Sequence, residues 1–188
     1  MKNKESKGNT RDLKSILAIV LAIVVVTFTG TFAWLSYRTN DTAMVLTIGD
    51  VDGLMVSLKP YQINGSITPV STYTGGNVIN VTAANSNVVS DGFNLYYQIE
   101  SIDSALKSSY FKYTVTRSTN GGSSYSVVKN GNFSTAQSNS TLSIHQDTVP
   151  SGSTYLYKVY LWIDTSGGNQ SAMQGKVFKG ELRATITH

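Results

Sequence analysis

Two histidines stand among 24 serines, so the first chemistry to test is a serine hydroxyl activated by an imidazole. His145 sits in an alternating stretch and His188 ends the sequence. A serine hydrolase also needs a carboxylate behind the ring and a hydroxyl within hydrogen-bond reach of it. For His145 both would have to be assembled from distant parts of the chain. No H-E-x-x-H, no G-x-S-x-G and no glycine-rich phosphate loop ending in Lys-Ser or Lys-Thr occurs. Without cysteine there is no thiol nucleophile, no Cys-based zinc site and no disulfide. These residues point to a non-catalytic protein that needs no cofactor. A hydrolase centred on His145 is the competing enzymatic expectation.

Asp50-Val51-Asp52-Gly53, with Asp41 nearby, has the acidic spacing that opens a calcium loop. An EF-hand starting at Asp50 requires a Glu where this chain has Tyr61. Asp and Gly are also what hairpin turns use, so Asp50 and Asp52 read first as turn residues and only weakly as metal ligands. Asn-x-Ser/Thr sequons begin at Asn40, Asn64, Asn80, Asn132, Asn139 and Asn169. The abundance of Asn, Ser and Thr explains most of them without invoking glycosylation. Eleven Tyr and two Trp offer flat area with hydrogen-bonding edges. Most of these rings are expected to pack inside. Tyr96, Tyr160 and Trp162 alternate outward and are the candidates for a ligand or subunit contact.

Any such residues must be positioned by elements of two kinds. The first is N-terminal. Residues 1–14 form a basic tail with a net charge of +3, and residues 16–26 contain no polar side chain. The apolar segment 15–36 fits both a membrane helix and a signal peptide. The excess of cations before it predicts a cytoplasmic N-terminus and an external remainder. Thr31 and Ala33 are small and lie three and one residues before the Ala33–Trp34 bond, the spacing a signal peptidase reads. Gly30 and three threonines weaken a helix just there. The competing expectation is an uncut helix whose interfacial end is marked by Trp34, Tyr37 and Arg38. Leu13 occupies the place where a type IV pilin processed after Gly8 would carry Glu.

The second kind is β-structure over residues 39–188, which carry nine cations and nine anions. A neutral domain rich in Ser, Thr and Asn shows no footprint for nucleic acid. Phe93, Leu95, Tyr97 and Ile99 alternate with polar residues, as do Phe111, Tyr113 and Val115, and Phe178, Leu182, Ala184 and Ile186. That period of two predicts half-buried strands. Residues 155–163 are apolar on both faces and predict a central strand. Further strands are expected at 43–49, 54–59, 78–83, 125–130 and 141–145, with a helical turn near 104–109. Turns are expected at Asp52-Gly53, Gly75-Gly76, Asp91-Gly92, Asn120-Gly121-Gly122, Asn130-Gly131 and Gly167-Gly168. The predicted class is all-β, an antiparallel β-sandwich or jelly roll of about eight or nine strands behind an N-terminal apolar helix.

The stretch "GTFAWLSYRTNDTAMVLTIGDVDGLMVSL" resembles the signal-peptide end and first strands of SipW-dependent exported proteins of the TasA and camelysin type. The shared pattern is Gly30, Thr31, Phe32 and Ala33 followed by Trp34. The C-terminal "YLYKVYLWIDTSGGNQSAMQGKVFKGELRATITH" resembles the ending of small exported proteins of gut Firmicutes. The resemblance covers the two ends of the chain. It implies a jelly roll, release by a dedicated signal peptidase, and a role in surface fibres or biofilm matrix. It also implies that an N-terminal strand is donated to the next subunit, here Ala43, Met44, Val45, Leu46, Thr47 and Ile48. The expected partners are therefore the membrane before processing, the signal peptidase, and further copies or other surface proteins. The expected location is the outer face of the cell membrane or the cell surface. From another functional class, a membrane-anchored module could recognise a carbohydrate or protein through exposed aromatics.

Overall fold

The computed structural model describes residues 36–37, 46–49, 53–59, 65–67, 69–168 and 170–187. The chain divides after Ala33, and every described residue belongs to the second unit, Trp34–His188. Thr31, Ala33 and Trp34 lie outside the described residues, as do Ala43, Met44 and Val45, Asp50 and Asp52, and the apolar segment up to residue 35. Among the described residues no helix is long and apolar enough to cross a membrane.

Strands carry the fold. The first, β1 (Ser36–Tyr37), pairs antiparallel with β4 (Gly65–Ser66). Ser36, placed by the sequence at the end of the apolar segment, is thus in a strand. The large sheet has the order β2 (Leu46–Gly49), β3 (Leu54–Lys59), β6 (Asn77–Asn85), β11 (Thr154–Asp164), β8 (Phe111–Ser118) and β9 (Ser126–Asn132). The small sheet has the order β10 (Ser140–Val149), β7 (Asp91–Ile102) and β12 (Phe178–Thr187). Every neighbour in both orders pairs antiparallel. One pairing departs from the antiparallel expectation: β5 (Pro69–Val70) runs parallel to the end of β11. Pro69 opens that two-residue strand, where its missing N–H is tolerated.

The alternation in the sequence became the two faces of each strand. Phe93, Leu95, Tyr97 and Ile99 on β7 are buried, as are Phe178, Leu182 and Ala184 on β12. Tyr157, Val159, Leu161 and Ile163 bury the inner face of β11, each contributing roughly 1.5–3 kcal/mol of apolar transfer. The inner faces of the two sheets meet in one core, which makes the domain sandwich-like. Phe93 of the small sheet meets Tyr157 of the large one edge to face at 5.5 Å. Phe133, just beyond β9, joins the layers. It stacks on Phe111 at 4.4 Å and meets Phe178 and Tyr97 at 5.3 and 5.6 Å.

Two expected turns are strand instead. Asp91-Gly92 begins β7, with Gly92 opposite both Thr148 and Thr187. The turn chemistry moved upstream to Asn85. Its Nδ2 donates to the carbonyls of Val89 and Val149 at 2.8 and 2.9 Å, and its Oδ1 accepts from the Asn87 N–H at 2.9 Å. An Asn that closes its own local turn does this regularly. Asn130-Gly131 lies inside β9, where Gly131 faces Tyr113. A Cβ there would overlap the Tyr113 ring, so the glycine makes room for an aromatic and not for a bend. The expected turns at Asn120-Gly121-Gly122 and Gly167-Gly168 are present, with positive φ at Gly121, Gly122 and Gly168. The expected helical turn is a 3-10 turn at Ser104–Leu106.

Candidate functional site

Strand β8 decides what the outer face of the large sheet can do. Its inward residues Phe111, Tyr113 and Val115 serve the core, so Lys112, Thr114 and Thr116 point the other way. Register then builds rows across three strands. Lys112 stands between Asn132 of β9 and Trp162 of β11, and Thr114 between Asn130 and Tyr160. The two rows lie roughly 7 Å apart along the strands. Thr114 is short and its neighbours are long, which leaves a groove of roughly 430 Å³ along β8. Tyr73, Lys112, Thr114, Asn130, Asn132 and Trp162 line it.

Hydrogen bonds hold this groove in one shape. The Trp162 indole N–H donates to Thr114 Oγ1 at 3.2 Å, and that hydroxyl donates to Asn130 Oδ1 at 2.9 Å. Asn132 Oδ1 accepts from the Ser134 N–H at 3.0 Å. Both amide oxygens are thereby committed, and both Nδ2 groups are left with no partner among the described residues. Lys112 Nζ donates to Asp164 at 2.5 Å and lies 5.3 Å over the Trp162 ring. The hydrogen bond from Lys112 holds the Asp164 carboxyl below the usual carboxylate range. Tyr73 sits edge-on to Tyr160 at 5.1 Å, and burial pushes the Tyr160 phenol upward.

The three aromatics singled out from sequence do not form one cluster. Tyr96 lies on the outer face of the other sheet, between Ser143 and Arg183. Trp162 and Tyr160 share a face, but Trp162 is only 9% exposed. The 3-10 turn Tyr73–Gly75 leads onto it. A Cβ on Gly76 would stand 2.7 Å from Trp162 Cβ, so backbone covers that side. Sequence reasoning missed Tyr73, Asn130 and Asn132. An Asn-rich strand beside a Lys-x-Thr strand is the only signal for them, and it is weak without the register.

A second polar group bridges the sheets. Asp147 of β10 accepts at Oδ2 from Arg117 Nη1 at 2.8 Å and from the Tyr157 hydroxyl at 2.8 Å, and at Oδ1 from the Thr148 N–H at 2.9 Å. His145 Nε2 lies 3.4 Å from the same Oδ2. A bulge between Ser143 and His145 interrupts the β10–β7 register next to this group. Burial alone would raise the Asp147 carboxyl, but hydrogen bonds from Tyr157 and Arg117 outweigh it and hold it below its ordinary value. Burial lowers His145, partly offset by Asp147, which favours the neutral ring. The Tyr157 phenol is pushed far up, first by burial and then by its bond to Asp147. The carboxylate that would orient a catalytic His145 is therefore also bound by Arg117 and Tyr157. No serine hydroxyl is bonded to the ring among the described residues. The group ties the layers together, and among the described residues no relay runs from carboxylate through imidazole to hydroxyl.

The donor segment reaches the described residues at Leu46, Thr47 and Ile48, all in β2. Among the described residues this four-residue strand lies at the edge of the large sheet and pairs only with β3. Leu46 and Ile48 are half-buried against the core, and Thr47 faces Ser57 on the outer side. Among the described residues no group of three or more His, Asp or Glu could hold a metal ion. A scan against protein-family models and a search of curated proteins gave no match to this chain. The expected likeness to TasA-type exported proteins therefore rests on the N-terminal stretch alone.

Proposed function

We propose that the chain is an exported, non-catalytic cell-surface structural protein whose subunits join by exchanging the β2 strand. In this reading residues 39–188 form a jelly-roll domain outside the cell, delivered behind the apolar helix 15–36. Cutting after Ala33 frees the segment that carries Leu46, Thr47 and Ile48. An uncut helix would instead leave that segment tethered to the membrane, on display.

The observation that carries the proposal is the place of β2. It is short, and among the described residues it lies at an edge and makes one strand pairing. Its leaving exposes the free edge of β3 and the core surface against which Leu46 and Ile48 pack. An identical segment from another copy restores the same contacts, so exchange changes the partner and little else. β-strand addition of this kind draws affinity from main-chain hydrogen bonds and selectivity from alternate side chains. A head-to-tail exchange whose rotation does not close yields fibres, and that is the geometry proposed here.

The absence of native cysteine makes the test direct. Thr47 and Ser57 face each other across β2 and β3, with hydroxyls 3.5 Å apart. In the double variant Thr47→Cys, Ser57→Cys, the assembled protein is oxidised or treated with a short bis-maleimide and run under denaturing conditions. A covalent ladder is expected. Crosslinked monomers recovered from fibres would sink the mechanism. Deleting residues 34–48 should leave soluble monomers, and fibres that form unchanged would count equally against it.

A further inference from the structure

The geometry points to the outer-face groove over β8 as a binding site for a neutral oligosaccharide. It does not depend on strand exchange, because the groove lies on β11, β8 and β9, at the opposite edge of the sheet from β2.

Three features define the ligand. First, the groove is electrically closed. Among the described residues Lys112 is the one cation lining it, it is paired with Asp164, and no other charged side chain is in its walls. An anionic ligand would have to displace that carboxylate, and a cation finds no free acid. Second, the unused groups are donors and one phenol. The Nδ2 groups of Asn130 and Asn132 stand in adjacent rows, and their amide oxygens are committed to Thr114 and Ser134. The Tyr73 hydroxyl has no partner among the described residues. Fixed amides of this kind suit the closely spaced hydroxyls of a sugar ring. Third, the opposite wall is aromatic: Tyr73, braced edge-on by Tyr160, and the locked Trp162 line it. A sugar presents C–H faces to such rings and hydroxyls to the amides. A few fixed polar groups beside an aromatic wall are the usual make-up of a small-molecule site. The groove is also built before any ligand arrives, so little ordering entropy opposes binding.

The reporter is already present. The chain has two Trp, and replacing Trp34 with Phe leaves Trp162 as the sole indole. Full-length Trp34→Phe protein in lipid nanodiscs is titrated with cellohexaose, laminarihexaose, chitohexaose and mannohexaose, and with dextran sulfate as a charged probe. At least one neutral hexaose should shift Trp162 emission saturably at about micromolar to millimolar concentration. Roughly 0.5 M salt should not weaken that effect, because no ion pair forms with the ligand. Tyr73→Ala and Asn132→Ala should each weaken binding at least about tenfold, with the melting temperature of the protein unchanged within a few degrees. The assignment fails if no hexaose gives a saturable shift up to about 10 mM. It fails too if only dextran sulfate binds, if both variants bind like the parent, or if an extended peptide occupies the groove and the sugars do not.

Discussion

Asp147→Ala tests how the two layers are held together at the end of the sandwich that carries His145. The substitution removes the acceptor of Arg117, Tyr157 and the Thr148 N–H together. Tyr157 is 1% exposed, so its hydroxyl would be stranded at a cost of about 1–3 kcal/mol. Arg117 retains 32% of its side-chain exposure and can turn toward water, which limits its share to roughly 0.5–1 kcal/mol. The sum is about 1.5–4 kcal/mol, or a fall of roughly 3–15 °C in melting temperature for a domain of this size. Urea titration of the full-length protein, followed by near-UV circular dichroism, measures it. A cycle with Tyr157→Phe isolates the cause. In the double variant no hydroxyl is stranded, so the two losses should fall short of additive by about 1–2 kcal/mol. Additivity within about 0.5 kcal/mol, or a loss from Asp147→Ala below that figure, would refute the stranded-hydroxyl reasoning.

The same cluster sets a pH dependence. Asp147 titrates lower in the folded chain than in the unfolded one, so its contribution is complete above about pH 4 and is lost as pH falls through the folded value. His145 is also lowered by folding, so stability declines as pH drops below about 6.5 toward its folded value. The measured stability should therefore fall in two stages on acidification, and His145→Gln should remove the upper stage alone. Phe133→Ala should cost about 3–5 kcal/mol in urea, because its ring joins Phe111, Phe178 and Tyr97 in one cluster. Gly76→Ala would bring a Cβ to 2.6 Å from the Leu161 carbonyl oxygen. It should cost about 1–3 kcal/mol and, in the Trp34→Phe background, red-shift Trp162 emission as the covering turn moves off the indole. Leu46→Asp places a carboxylate on the inward side of β2 and should abolish assembly, seen by sedimentation, with the rest of the domain still folded.

Strand positions were legible because period two is a local property. Once Phe93, Leu95, Tyr97 and Ile99 face a core, Asn94, Tyr96 and Gln98 must face away, whatever the partner strand. The run at 155–163, apolar on both faces apart from Lys158, identified β11 as central because side chains of the flanking strands crowd against its outer-face rings. Glycine was less informative. Gly92 and Gly131 look like turn residues in sequence, yet each allows a close approach within a sheet, to Thr187 and to Tyr113. Which of these two uses a glycine serves is set by what lies opposite, and that is not local.

The sequence by itself therefore determined the class of structure, the faces of its strands and the absence of cysteine. Only the tertiary structure decided which polar residues meet. Arg117, Asp147 and Tyr157 come from three strands and two sheets, and their bonds depend on how those sheets are layered. Asn132, Lys112 and Trp162 become one row through two registers, and a slip of one residue in either would turn half of the groove into the core. Periodicity says which way a side chain points. Pairing says what it finds there, and pairing is fixed by core packing over the whole domain.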